Sequence, residues 1–462
     1  MRYNNGRTRF RKPLVWILLS FCGVAFAYAQ ESLSLVDDPS VFSAYKDRPP
    51  GWKAVGDVRI NLKKPSQLVV DKGNGVLAYI AEKGSQASML VTAKSYNDFY
   101  LETDFLLTEG AKIKIAIHEH YYLQLGDDKE SHPIASANGQ ITGHAPRQQV
   151  GRAPGLWQHL RLSFRAPQFD RATGETVPAR LLFAELNNAL IYEDVRLTSD
   201  EKTGDVQNAP LRIIAEAGSI ALRNTSIMPS GDKAISPAMK ESNADPIWVD
   251  APVNTVLRSF MNLPDTNRIT HAISVGHPEQ THYTYDLSTG HLVQAWRGGF
   301  LDATPMWHNR GNGTSRPLGS LIYFGRPLPE VARLESPDAA WPLDTTGSGF
   351  RTRGYTLDQY DLPVFHYELT GTSVTDAIRP LPEGNGFRRT FQIQNTGEAI
   401  YLRLARSRQI RQQDKEVYLI GDNAWYLHLR DTNGARPIIR NSGEEKELII
   451  PVKSSITYSI MF

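Results

Sequence analysis

Apolar and polar residues alternate over short runs along most of this chain. The clearest runs are QLVVDKGNGVLAYI, YLETDFLL, KIKIAI, YYLQL, WQHLRLSFRA, ARLLFAELNNALIYEDVRL and LRIIAEAGSIALRNTSIM. A period of two puts successive side chains on opposite faces, which predicts strands with one dry face. Asn187-Asn188 and Gly73-Asn74-Gly75 read as hairpin-type turns. No long run has helical periodicity. Many short strands between polar turns predict an all-β sandwich or barrel.

The alternation fails over residues 229–250, PSGDKAISPAMKESNADPIWVD, a polar stretch with Pro and Ser. This predicts an interdomain linker. It divides a first β domain, residues 40–228, from a second, residues 251–462. Strands of the second include RITHAISVG, THYTYDL, HLVQAWRGGF, PVFHYELTG and SSITYSIMF. The later ones suggest a large β-sandwich. Neither half shows a fixed-period repeat.

The N-terminus changes the picture of compartment. Arg2, Arg7, Arg9, Arg11 and Lys12 precede an apolar run from Leu14 to Phe26, and Ala27-Tyr28-Ala29 supplies a small-x-small cleavage site. Residues 1–29 are read as a signal peptide, and the mature protein as periplasmic or secreted, with no membrane span after cleavage. Cys22, the single cysteine, lies in that segment behind the large Phe21, which argues against lipidation. Mature chain chemistry then involves no thiol. The chain has 51 basic and 49 acidic residues, and removing the five basic residues of the signal leaves 46 against 49. That balance gives no basic domain for nucleic acid.

Candidate chemistry concentrates between Tyr96 and Asp128. In FYLETDFLL, Phe99, Leu101, Thr103, Phe105 and Leu107 share one face, and Tyr100, Glu102 and Asp104 the other. Ile113, Ile115 and Ile117 point inward, leaving Lys112, Lys114 and His118 outside. Tyr122 and Gln124 lie opposite Tyr121, Leu123 and Leu125. If these strands are neighbours, carboxylates, lysine, histidine, tyrosine and glutamine collect on one surface. Planar hydrogen-bonding groups with an aromatic alongside suit a sugar, although an ordinary solvated sheet face has the same alternation.

The motifs Gly51-Trp52, LVTAKSYNDFYLETDFLL, YYLQL, GQITGHAP, PGLWQHLRL, LN and GSIALRNTSI occur in that order. In this the stretch from Gly51 to Met228 resembles the 3-keto-disaccharide hydrolase domain family, itself similar to concanavalin A-like and laminarinase-like jelly rolls. The resemblance implies a secreted jelly-roll sandwich acting on carbohydrate, with hydrolysis of 3-oxo-glycosides as the activity. The chain departs from the family where Ala116-Ile117-His118 replaces a small pair followed by arginine, where Tyr122 replaces an acidic residue, and at Asn188, where glycine is usual. The first two departures alter the polar face itself.

Laminarinase-type sites carry E-x-D-x-E or E-x-D-x-x-E on one strand, because retaining hydrolysis needs two carboxyl groups about 5–5.5 Å apart. Glu102 and Asp104 fit the start, but Leu106 and Leu107 occupy the places of the second glutamate. A 3-oxo sugar opens another route, because its ketone acidifies the neighbouring C–H and permits elimination. A base and an acid are then needed, and His118, Glu102 and Tyr122 are the catalytic candidates, with Asp104, Lys114 and Gln124 binding substrate. A non-catalytic carbohydrate-binding or adaptor protein is the alternative.

In the second half, Arg297, Asp302 and His308 are candidate ligand-binding residues within a stretch that also holds Arg310. The competing reading is an ordered loop pinned by buried Trp296 and Trp307. YDLSTGHLVQAW has part of a quinoprotein-propeller motif, but it occurs once and with the wrong spacing. The wider stretch is similar to an unnamed module of secreted bacterial proteins. His118-Glu119-His120 has imidazole spacing for a metal but no identifiable third ligand, and Asp127-Asp128 suits a polar loop better than calcium. The expected partner is carbohydrate, and no metal or cofactor is expected.

Overall fold

The computed structural model describes residues 51–126, 140–141, 144–170, 175–197, 208–229, 245–264, 268–308, 313–394 and 399–462. The signal segment, Asp127-Asp128, Arg310 and most of the expected linker lie outside them.

The first half has strands β1 (Trp52–Asn61), β2 (Lys64–Tyr79), β3 (Ser88–Tyr96), β4 (Phe99–Leu107), β5 (Lys112–Ile117), β6 (Tyr121–Gly126), β7 (Gln140–Ile141), β8 (Trp157–Arg165), β9 (Gln168–Asp170), β10 (Glu175–Val177), β11 (Arg180–Leu186), β12 (Ala189–Arg196), β13 (Ala209–Ala217) and β14 (Ile220–Pro229). A seven-stranded sheet runs β1-β2-β14-β4-β8-β11-β12, and a five-stranded sheet runs β3-β13-β5-β6-β7. Their inward side chains form one core: Leu101, Phe105 and Leu162 from the larger sheet meet Ile113, Leu123 and Ile213 from the smaller. Each is almost fully buried, at about 1.5–3 kcal/mol per side chain. This is an all-β sandwich, one of the two architectures that the alternation predicted and the one that the family resemblance implied.

Asn187 and Asn188 have φ of 54° and 64° and join β11 to β12 in the tight hairpin expected of such residues. Gly73-Asn74-Gly75 does not make a hairpin. β2 passes through it unbroken, and the pairing with β1 jumps from Val55↔Val76 to Asp57↔Asp71. The glycines form an outward bulge, because apolar alternation resumes on both sides and both flanks pair with the same strand. Gly56 lies against this bulge, where an added Cβ would come within 2.8 Å of the Lys72 carbonyl.

The second half contains a five-stranded sheet beginning at Thr255–Arg258, an eight-stranded sheet from Arg351–Leu357 to Ser455–Met461 and onward to Ile410–Gln412, and a four-stranded sheet that includes Ile400–Ser407 and Glu445–Pro451. Tyr283, Phe365, Phe391, Leu402 and Ile456 draw these sheets into a second core, which also takes in Ile60 and Leu156 from the first half. The described residues form one compact unit. Polar contacts cross between the halves: Asn423 Nδ2 donates to Val58 O at 2.8 Å, Tyr426 Oη to Pro154 O at 3.2 Å, and Arg411 pairs with Asp57.

Candidate active site

The structure divides the expected polar groove in two. Tyr100, Glu102 and Asp104 point outward from β4 on the seven-stranded sheet, while Lys114, Tyr122 and Gln124 point outward from β5 and β6 on the five-stranded sheet. The outer faces of a sandwich look in opposite directions, so these residues do not converge. Alternation fixes which side chains face the core, but not which sheet a strand joins. The connection decides that here. After Leu107 the chain turns through Thr108 and Gly110, with Ala111 N bonded to Thr108 O at 3.0 Å, and crosses to the other sheet instead of folding back on β4.

His118 is also corrected. It follows β5 with φ of 47°, and its ring turns into the core against Phe164 at 4.9 Å between centroids. Nε2 lies 2.8 Å from Tyr96 O and 3.2 Å from Asn97 O, so it donates to carbonyls. Burial lowers its pKa, outweighing those carbonyls, which favour the charged form. Only 3% of the residue is exposed. It is a structural, neutral histidine and cannot reach a substrate on either outer face. Among the described residues no cluster of three metal-ligating side chains occurs.

The outer face of the seven-stranded sheet holds a more coherent constellation. β8 runs antiparallel to β4 with Asp104 opposite His159 and Glu102 opposite Arg161. The imidazole therefore stands between two carboxylates. Nδ1 is 2.7 Å from Asp104 Oδ1, and Nε2 is 3.3 Å from Glu102 Oε1. Tyr100 Oη donates to Glu102 Oε2 at 3.1 Å. On the other flank, the pairing of β14 with β4 shifts between Arg223 and Ser226. This bulge, with Asn224 at φ 48°, aims Asn224 Nδ2 at Asp104 Oδ2, 2.7 Å away. Arg223 Nε reaches the same oxygen at 3.3 Å.

Burial alone would raise the Asp104 pKa. Hydrogen bonds from His159 and Asn224, with the charges of His159 and Arg223, outweigh it and hold the carboxyl below its ordinary value. Burial, and then the neighbouring Glu102, push the Tyr100 phenol up. The array thus has one firmly ionised end, Asp104, that fixes the imidazole, and an accessible end at Glu102. Arg161 extends it by pairing with buried Glu185 and donating to Asn188 Oδ1 at 3.2 Å. The Arg223 guanidinium lies 4.0 Å from the Trp157 ring centroid and 2.7 Å from Asp422 of the second half.

His159, Arg223 and Asn224 were not singled out from sequence. The signal for His159 was present in WQHLRL, where Trp157, His159 and Arg161 alternate with residues of the dry face.

On the opposite sheet Lys114 sits across from Gln124, and Tyr122 across from Ala116. Lys114 Nζ pairs with Glu216 at 2.5 Å, Tyr122 Oη donates to Glu119 O at 2.9 Å, and Arg212 pairs with Glu119. In the second half the three candidates have separate settings. Arg297 donates to Gly151 O at 3.2 Å. Asp302 accepts from Thr304 N at 2.9 Å and pairs with Arg316 at 2.8 Å. His308 is exposed at the end of the short helix Thr304–His308. Trp296 is buried as the ordered-loop reading expected, but Trp307 is exposed.

Residues 43–229 match the model of the 3-keto-alpha-glucoside-1,2-lyase-like domain, so the first half of the chain carries a domain of that family. Among solved structures, the chain is similar to two proteins of Parabacteroides distasonis ATCC 8503, each provisionally named a glycosyl hydrolase. One is 16% identical, covering 39% of this chain and 79% of that one with a TM-score of 0.28. The other is 18% identical, covering 38% and 98% with a TM-score of 0.26. A carbohydrate-binding module from Bacillus subtilis is 9% identical, covering 39% and 97% with a TM-score of 0.21. No curated protein matches.

Proposed function

We propose that this is an exported carbohydrate-active enzyme that cleaves 3-oxo-glycosides by elimination, at the outer face of the seven-stranded sheet. The observation that carries the reading is the Glu102–His159–Asp104 array, and the lyase-like family of residues 43–229 supports it. A ketone at C3 acidifies the C2 hydrogen, and the glycosidic oxygen on C1 is β to that carbonyl. Glu102 accepts the C2 proton and shares it with His159, which Asp104 orients. The electron pair passes into the carbonyl as an enolate and returns to form C1=C2 as the C1–O bond breaks. The departing oxygen takes up a proton, and water adding across the double bond would complete a net hydrolysis. No nucleophilic carboxylate is required. That matches an arrangement in which Glu102 and Asp104 are both tied to one imidazole and do not flank a bond.

The test follows a 3-oxo disaccharide and its ordinary parent by NMR in D2O. Elimination predicts cleavage of the 3-oxo sugar alone, with deuterium entering C2. Glu102→Gln and His159→Ala should each lower the rate by ~10²–10⁴-fold. Cleavage without C2 exchange, or unimpaired turnover in both variants, refutes the assignment. Export is tested by sequencing the N-terminus of the mature protein, expected at or near Gln30. An intact Met1 would overturn it.

A second reading, a non-catalytic carbohydrate-binding protein, rests on the five-stranded sheet, where Tyr122 is exposed beside Gln124 and Lys114. It predicts sugar binding that Tyr122→Ala weakens, without turnover of any 3-oxo substrate.

A further inference from the structure

The second half contains a cavity of about 710 Å³, remote in sequence from the array just described. That size falls within the usual range of small-molecule sites. Its wall includes Glu330, Arg389, Arg403 and His291, all of them deeply buried residues. Arg389 is neutralised from behind, with Nη2 2.6 Å from Asp376 Oδ2, while also pairing with Glu330 and donating to Tyr458 Oη at 3.2 Å. Arg403 is neutralised by Glu447 at 3.1 Å. Burial drives the His291 pKa down to about 3, with the Arg403 and Arg389 charges adding to the effect, so the ring is a neutral hydrogen-bonding group. An ion network that served packing alone would be expected to be filled in by protein. Here a large void adjoins it.

The mouth has a different balance. Arg326 is exposed and has no ion-pair partner among the described residues. Arg408 is only loosely paired, 3.8 Å from Glu444. Arg326 and Leu328 also line a neighbouring cavity of about 410 Å³ that contains Ser288 and Thr289. Arg326 therefore stands where two cavities meet. Glu330, Asp422 and Glu445 on the larger wall are themselves paired, with Arg389, Arg223 and Arg406, and their remaining lone pairs can accept hydrogen bonds from hydroxyl groups.

We propose that this cavity is a second ligand site that takes an acidic saccharide of at least two sugar units, its hydroxyls on the mixed polar wall and its carboxylate on Arg326. The proposed carboxylate contact at Arg326 is distinct from the elimination array.

The test is calorimetric titration of the full mature chain with cellobiouronic acid and with cellobiose, which differ in carrying a carboxylate or a hydroxymethyl group. The acid should bind at least about tenfold more tightly, as a charge-assisted hydrogen bond implies. Arg326→Ala should remove that preference, and because the side chain is exposed the variant should retain the melting temperature of the parent. Arg408→Ala should weaken the acid less. His159→Ala should leave the titration unchanged, which separates this site from the proposed active face. Absence of binding by the acid, equal binding of the two sugars, an unaffected Arg326→Ala, or loss of binding in His159→Ala would each overturn the proposal.

Discussion

Asp104→Asn is the substitution whose consequences the structure defines most closely. The aspartate accepts three hydrogen bonds, from His159 and Asn224 at 2.7 Å and from Arg223 at 3.3 Å. An amide of the same shape keeps one acceptor oxygen and turns an NH2 group toward a donor. Hydrogen bonds to charged groups contribute about 1.5–3 kcal/mol each, and they are not additive. The side chain is 16% exposed, so solvent screens it little. The expected loss of stability is about 2–3 kcal/mol at pH 5 and above. The folded carboxyl lies below its unfolded value. Its contribution is therefore complete above about pH 4, near the unfolded pKa, and is lost as pH falls through the lower folded value. Urea unfolding of parent and variant, followed by tryptophan fluorescence between pH 6 and pH 2.5, should show a constant gap that closes in acid. A gap below about 1 kcal/mol at pH 5, or one that does not narrow toward pH 2.5, would show that Asp104 is not held as described.

Three further outcomes are expected. Arg389→Met leaves Asp376 and Glu330 buried without their counter-charge and should cost about 3–5 kcal/mol in urea unfolding; adding Asp376→Asn and Glu330→Gln should restore part of it. Asn188→Ala, at φ 64°, should cost about 1 kcal/mol, whereas Asn188→Gly should be tolerated. If the chain has two folding units, limited proteolysis within residues 230–244 should yield two fragments that co-elute on size exclusion, held by contacts such as Arg411–Asp57 and Tyr426–Pro154. Fragments that separate in native buffer would show that this interface is too weak to hold them.

The all-β class and the dry faces of individual strands were legible because alternation is a local signal. Ile113, Ile115, Leu123 and Leu125 point inward as the sequence implied. The asparagine hairpin was legible for the same reason, since turn chemistry is carried by the residues themselves. The site was not, because it depends on sheet partners. Glu102 and Lys114 are twelve positions apart on successive strands, yet they face opposite sides of the sandwich. Glu102 and Arg161 are far apart in sequence and directly opposed. His118 failed for a second reason: it lies past the end of β5 at positive φ, where strand parity no longer says which way a side chain points. The glycine bulge in β2 misled because its composition is that of a turn, and only the pairing on both flanks distinguishes the two.

Arg223 touches Asp104, the face of Trp157 and Asp422 at once. Two of those belong to the jelly roll, and the third lies about two hundred positions downstream, on the wall of the larger cavity. The pieces therefore do not share a single evolutionary ledger. If recombination moved the first half to another protein, its arginine would arrive without one of its anions and would be free to pull harder on Asp104. Drift at Asp422 would be felt on a strand it does not adjoin. Residue 223 should consequently vary in step with residue 422 among relatives that keep both halves, and independently of it in those that carry the jelly roll alone.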